Sequence, residues 1–96
     1  MRRAERPKFL LDIFNTLSLK GSVKILIALK EQGSTKYLDL VKKVGFATTT
    51  TRALKALEEN KFVTREVLDE PYRPVAYSLT DKGKRLLEIV MEIEKL

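Results

Sequence analysis

The chain has 96 residues, with 19 lysines and arginines against 13 acids for a net charge of +6, and it contains neither cysteine nor histidine. A chain of this length makes one domain with a small core, and the two missing residue types exclude disulfide staples, thiolate and imidazole metal sites, a cysteine nucleophile and a serine-histidine pair. The acids stand singly or in mixed-charge helix faces, which argues against an enzyme. No signal-peptide core and no apolar run near the roughly 18 residues of a membrane span is present, so the sequence reads as a soluble, cytoplasmic protein with no cofactor or metal. Its charge is uneven: from Met1 to Arg65 there are 14 cations and 6 anions, and the remainder is net −2. Positive charge gathered in one segment suits a polyanion, of which DNA is the usual one; the plainer alternative is a solvated basic surface.

In chain order, residues 1–8 form a basic arm holding Arg2, Arg3, Arg6, Pro7 and Lys8. Phe9, Leu10, Ile13, Phe14 and Leu17 then repeat at the three-and-four spacing of a helix with one buried face, for a core or a dimer interface. Gly21-Ser22 opens a second helix with Ser22 as its expected N-cap, and Val23, Ile25, Leu26, Ile27 and Leu29 cover most of its circumference, which makes it central. After the break at Gly33-Ser34-Thr35, a short third helix is expected to turn Leu38, Val41 and Val44 inward and Lys42 and Lys43 outward. Gly45 stops it, since glycine reaches the left-handed conformation without Cβ strain.

The fourth helix, about 47–60, runs Ala47-Thr48-Thr49-Thr50-Thr51-Arg52-Ala53-Leu54-Lys55-Ala56-Leu57-Glu58-Glu59 up to the terminator Asn60. Threonine costs a helix about 0.5 kcal/mol relative to alanine, so packing alone does not ask for four in a row. Capping by Thr48 or Thr49 with Thr50 packed inward accounts for some of them and leaves Thr51 and Arg52 unexplained. Hydroxyls and methyls beside Arg52 and Lys55 suit phosphate oxygens and base edges in a DNA major groove. With Leu54 and Leu57 inward and Thr48, Thr49, Thr51, Arg52 and Lys55 outward, the third and fourth helices make a helix-turn-helix.

From Phe62 the period becomes two: Phe62, Thr64, Glu66 and Leu68 alternate with Val63, Arg65 and Val67, and Val75, Tyr77 and Leu79 alternate with Ala76 and Ser78. Residues 69–74 are turn material, so the two strands form a projecting hairpin. Thr80 caps a last helix, 81–96, with Asp81 near its positive end. Its stripe of Leu86, Leu87, Ile89, Val90, Ile93 and Leu96 is too wide and too terminal for a small core and reads as a dimerisation helix, packed with its symmetry mate and with the first helix through Phe9 and Ile13. The alternative is packing within one chain.

Tyr37-Leu38-Asp39-Leu40-Val41, Gly45, the run from Thr49 to Glu59, Phe62-Val63 and Tyr77-Ser78-Leu79-Thr80-Asp81-Lys82-Gly83 together resemble the winged helix-turn-helix regulators of the MarR and HxlR type. The resemblance spans nearly the whole chain, and its strongest part is Tyr-Ser-Leu-Thr-x-Lys-Gly, in which Gly83 is expected to permit close backbone approach. It implies a mainly α fold with a small β-hairpin wing, dimerised through terminal helices. It also implies a homodimeric transcriptional regulator with one recognition helix per subunit in successive major grooves of double-stranded DNA. Thr48, Thr49, Thr51, Arg52 and Lys55 would then meet bases and phosphates, Lys36, Lys42 and Lys43 would hold phosphates beside the groove, and Arg65 and Arg73 would serve the wing.

Three departures are visible. Lys61 stands where these families usually have a glycine, which leaves Asn60 as the expected left-handed residue. Asp69 and Glu70 at the wing tip would repel phosphate. Relatives sense phenolic or aldehyde ligands, or oxidants through cysteine; the cysteine route is closed here, and Phe9, Phe14, Tyr37 and Phe46 read as core rather than as an effector pocket. A non-specific architectural chromatin protein and a winged-helix protein-interaction module are the competing functions.

Overall fold

A computed structural model of the chain describes residues 12–96. The basic arm, Phe9 and Leu10 lie outside the described residues. A helical segment over 12–18 (α1) is followed by α2 (Ser22–Gln32), β1 (Thr35–Lys36), α3 (Tyr37–Val44), α4 (Ala47–Glu59), β2 (Val63–Val67), β3 (Val75–Leu79) and α5 (Asp81–Glu94). The strands form one antiparallel sheet in the order β1-β3-β2, with Val63 opposite Leu79, Arg65 opposite Tyr77 and Thr35 on the other side of Tyr77. This is the mainly helical fold with a small hairpin wing that the residue pattern predicts. The pattern does not predict β1, because two residues show no alternation.

The core lies where α2 meets α3, α4, α5 and β3, and it holds Ile25, Leu26, Leu29, Leu40, Leu54, Leu57, Phe62 and Leu87. Leu54 and Leu57 point inward as expected. In α3 the stripe is instead Tyr37, Leu40, Val41 and Val44: Leu40 is fully buried, Tyr37, Val41 and Val44 are half-buried, and Leu38 is 68 % exposed. The three-and-four spacing counted from Tyr37 rather than Leu38 accounts for that shift of one residue. Ser22 is not an N-cap. Gly21 holds that position at φ +88°, and the buried Ser22 hydroxyl donates to the Thr16 carbonyl at 2.6 Å, joining α2 to α1.

The segment between α4 and α5 locks three elements together. Asn60 is the C-cap of α4, but its φ is −89°; the left-handed residue is Lys61, at φ +63°. The cause is the Asn60 amide, which donates to the Ala56 carbonyl and to Thr16 Oγ1, both at 2.9 Å, and so holds Asn60 against the helix end while the reversal passes to Lys61. Thr80 then stitches the junction: its N–H donates to the Phe62 carbonyl at 3.1 Å and its hydroxyl to the Lys61 carbonyl at 2.7 Å. The same Oγ1 accepts from Gly83 N at 2.9 Å, which is the predicted cap of α5.

Gly83 lies so close to the strand start that a Cβ there would overlap the Phe62 carbonyl oxygen, a backbone atom that cannot turn away. Gly83→Ala is therefore expected to lower unfolding stability by about 3 kcal/mol, at the severe end of overpacking. Chemical denaturation measures it, and an unchanged midpoint would contradict this reading of the junction.

Candidate nucleic-acid interface

The helix-turn-helix is built from α3, the Gly45 turn at φ +109° and α4. Gly45 N–H closes α3 on the Val41 carbonyl at 2.7 Å, so the chain reverses within two residues. No threonine caps α4: the N-cap is Phe46, which offers no side-chain acceptor. The helix start thus keeps first-turn N–H groups without a side-chain partner, on the end of the helix that favours anions.

The four threonines have different places. Thr50 is fully buried, and its hydroxyl donates to the Phe46 carbonyl at 2.7 Å. Thr49 is half-buried at the edge of the exposed face. Thr48, Thr51, Arg52 and Lys55 are exposed at the spacing of one helix face and together line a shallow depression of about 520 Å³. Thr51 is tied from below, since its Oγ1 shares a 2.8 Å hydrogen bond with the Tyr37 hydroxyl on α3.

A second groove, of about 700 Å³, runs between α3 and the wing and brings together Lys36, Lys42, Arg65 and Arg73 with Tyr72 and Tyr77. Lys43 is exposed but does not line it. Lys36 is engaged by the wing: its ammonium lies 3.0 Å from the Glu70 carboxylate, with both side chains about half exposed. The acidic tip that the sequence sets against phosphate is thereby partly neutralised, and Lys36 belongs to the wing rather than to the recognition helix. Tyr72 and Arg73 at the tip have positive φ, 68° and 43°, and Tyr72 is fully exposed. Behind the wing, burial pushes the Tyr77 phenol above its ordinary pKa of 10.0 while Arg65 opposes the rise.

Of the aromatic residues read as core, Phe14 and Phe46 are placed otherwise, Tyr37 packs at the core's edge, and Phe9 lies outside the described residues. Phe14 is 59 % and Phe46 62 % exposed, and Tyr37 is half-buried with its hydroxyl on Thr51. Neither phenylalanine can join the core, because Ile13, Leu17 and Thr16 face it from α1, and Phe46 ends the turn with Lys20 5.7 Å from its ring centre. Of the stripe on α5, Leu87 is in the core, Leu86 and Ile13 pack against it, and Val90 is half-buried. Ile89 and Ile93 remain 44 % and 56 % exposed, and Leu96 is fully exposed.

Two helices at a tight turn, an exposed polar and cationic face on the second, and a three-stranded sheet with a projecting hairpin define a winged helix-turn-helix protein. The HxlR-like helix-turn-helix family model matches residues 16–96, and the chain belongs to that family. It is 32 % identical over 71 residues to the uncharacterised HTH-type transcriptional regulator YfiV of Bacillus subtilis strain 168; the match covers 73 % of this chain and 44 % of that relative's length. The fold is similar to the reduced form of the transcriptional regulator YodB from B. subtilis, with a TM-score of 0.75, 27 % identity, and 86 % of this chain and 82 % of that one covered. A MarR-family protein of Enterococcus faecalis V583 shares the fold at a TM-score of 0.76 and 22 % identity, over 92 % and 80 % of the two chains.

The raised Tyr77 pKa has a consequence for stability. Its folded-state proton is held more tightly than in the unfolded chain, so this contribution is intact below the unfolded value and is lost as pH rises through the folded one. As pH rises above 10.0 the wild type should lose more stability than Tyr77→Phe. Parallel losses in denaturation series would refute the assignment.

Proposed function

We propose that this chain is a site-specific DNA-binding transcriptional regulator that acts as a homodimer in the cytoplasm, on the nucleoid, with no catalytic activity of its own. The observation that carries the reading is the exposed face of α4. Thr48, Thr51, Arg52 and Lys55 lie on one side of an uncapped helix start, and the first turn holds no acid. An anion meets favourable N–H groups and the positive end of the helix there, and Arg52 has the reach and planar geometry for a guanine or a phosphate.

Lys42 and Lys43, in the last turn of α3, then hold phosphates beside the groove, and Arg65 and Arg73 serve the wing. The exposed Ile89, Ile93 and Leu96, with Val90, supply the dimer contact. Isoleucines about half exposed on one face of α5 are what a second copy would cover. Such a dimer sets two recognition helices about 34 Å apart, one turn of DNA. The ion pair of Lys36 with Glu70 limits what the wing tip contributes.

Fluorescence anisotropy on labelled duplexes tests the assignment. Arg52→Ala should weaken specific binding by about 1–3 kcal/mol. Lys42→Ala and Lys43→Ala should weaken all sequences alike, each lowering the salt slope by about 0.9. An Arg52→Ala protein with undiminished affinity, or lysine variants with unchanged slopes, would reject these roles. Glu70→Gln should tighten binding to any duplex and steepen the slope by about 0.9 as Lys36 is released; weaker binding would show that the ion pair supports the wing's DNA-bound geometry instead.

A further inference from the structure

Thr51 stands at the centre of the exposed face of α4, yet its hydroxyl is already engaged. Oγ1 is 2.8 Å from the Tyr37 hydroxyl, and that same phenol makes a longer contact, 3.5 Å, to the Ala47 carbonyl. A helical threonine divides between two rotamers because its hydroxyl can turn back to the carbonyl four residues earlier. Thr50 does so with Phe46. For Thr51 that carbonyl is Ala47, which accepts from the Tyr37 hydroxyl, and the Thr51 hydroxyl donates instead to the Tyr37 oxygen. Tyr37 therefore selects the rotamer, holding the oxygen toward α3. Thr51 lines the depression with Thr48, Arg52 and Lys55, and with its oxygen held toward α3 the branch left to it is the methyl group.

We infer that Thr51 reads the C5-methyl group of a thymine in the major groove, and that Tyr37 is the positioning residue that turns the threonine methyl toward it. This rests on the DNA-binding reading above. Thymine is the base that offers an apolar group on the major-groove edge, and a threonine methyl is a suitable partner for it. The Tyr37 ring packs against the core, but the Tyr37–Thr51 bond itself sits at the surface. Its consequence lies in which atom Thr51 presents rather than in the stability of the fold.

The test uses the full chain and a duplex recovered by selection from random DNA, with each thymine replaced singly by deoxyuridine, which lacks only that methyl. Wild-type affinity should fall about fourfold at one position in each half-site, the worth of one buried methyl. Thr51→Ser keeps the hydroxyl and loses the methyl, so it should bind the thymine duplex as wild type binds the uracil one and show no further loss on replacement. Tyr37→Phe should lose most of the thymine preference while its affinity for random-sequence duplex and its thermal midpoint stay unchanged. Indifference of the wild type to uracil at every position, or full discrimination retained by Thr51→Ser, would overturn the methyl contact. Full discrimination in Tyr37→Phe would overturn the positioning role. Recovery of no DNA, or of DNA without a motif, would instead overturn the regulator reading itself and this inference with it.

Discussion

The structure turns on the close approach of α5 to the backbone between α4 and β2. Gly83 lies against the Phe62 carbonyl, Thr80 donates to the carbonyls of Lys61 and Phe62, and Lys61 takes the left-handed conformation that brings them there. The end of α4, the root of the wing and the start of α5 therefore meet at one joint, fixed by the backbone contact at Gly83 and by the Asn60 and Thr80 side chains. A left-handed lysine costs roughly 1 kcal/mol, and the hydrogen bonds made across the junction offset it. Lys82 extends the same joint, its ammonium donating to the Asn60 carbonyl at 3.0 Å while lying 4.9 Å from the centre of the Phe62 ring.

From that joint the two grooves follow. Burial of Leu54 and Leu57 fixes the rotation of α4, which leaves Thr48, Thr51, Arg52 and Lys55 outward as a consequence of the core. The wing grows from the buried Val63 into a strand whose remaining residues are all exposed, so its position is set at the root and by pairing with β3. Pairing of β1 with the far side of β3 brings Lys36 to Glu70, 34 residues away, and makes the wing an element with internal charge compensation. This arrangement leaves exposed cations on α3 and α4 and gathers Lys36, Lys42, Arg65 and Arg73 along the groove between α3 and the wing.

Much of this was legible in the residues. Gly45 as a stop, Thr80 as a cap, Gly83 as a point of backbone approach and the inward Leu54 and Leu57 all follow from local chemistry that a sequence displays directly. The misreadings share a cause, which is competition decided at long range. Ser22 resembles a cap until Thr16, in another helix, offers its carbonyl; Asn60 resembles a left-handed residue until its amide finds Ala56 and Thr16. Leu38 and Leu40 are chemically alike, and the side of α3 that packs on α2 and α4 decides which of them is buried. The bond between Tyr37 and Thr51 has no signature at all, because it depends on the angle at which two helices meet.

Whether the face of α4 reads a particular sequence as half of a two-fold arrangement is decided by selecting bound duplexes from a random library at about 150 mM salt, where purely electrostatic binding is weakened. A regulator of this kind should recover a two-fold-symmetric motif whose half-sites are centred about 10 base pairs apart. Bound DNA without any motif, or none recovered at this or at low salt, would contradict it.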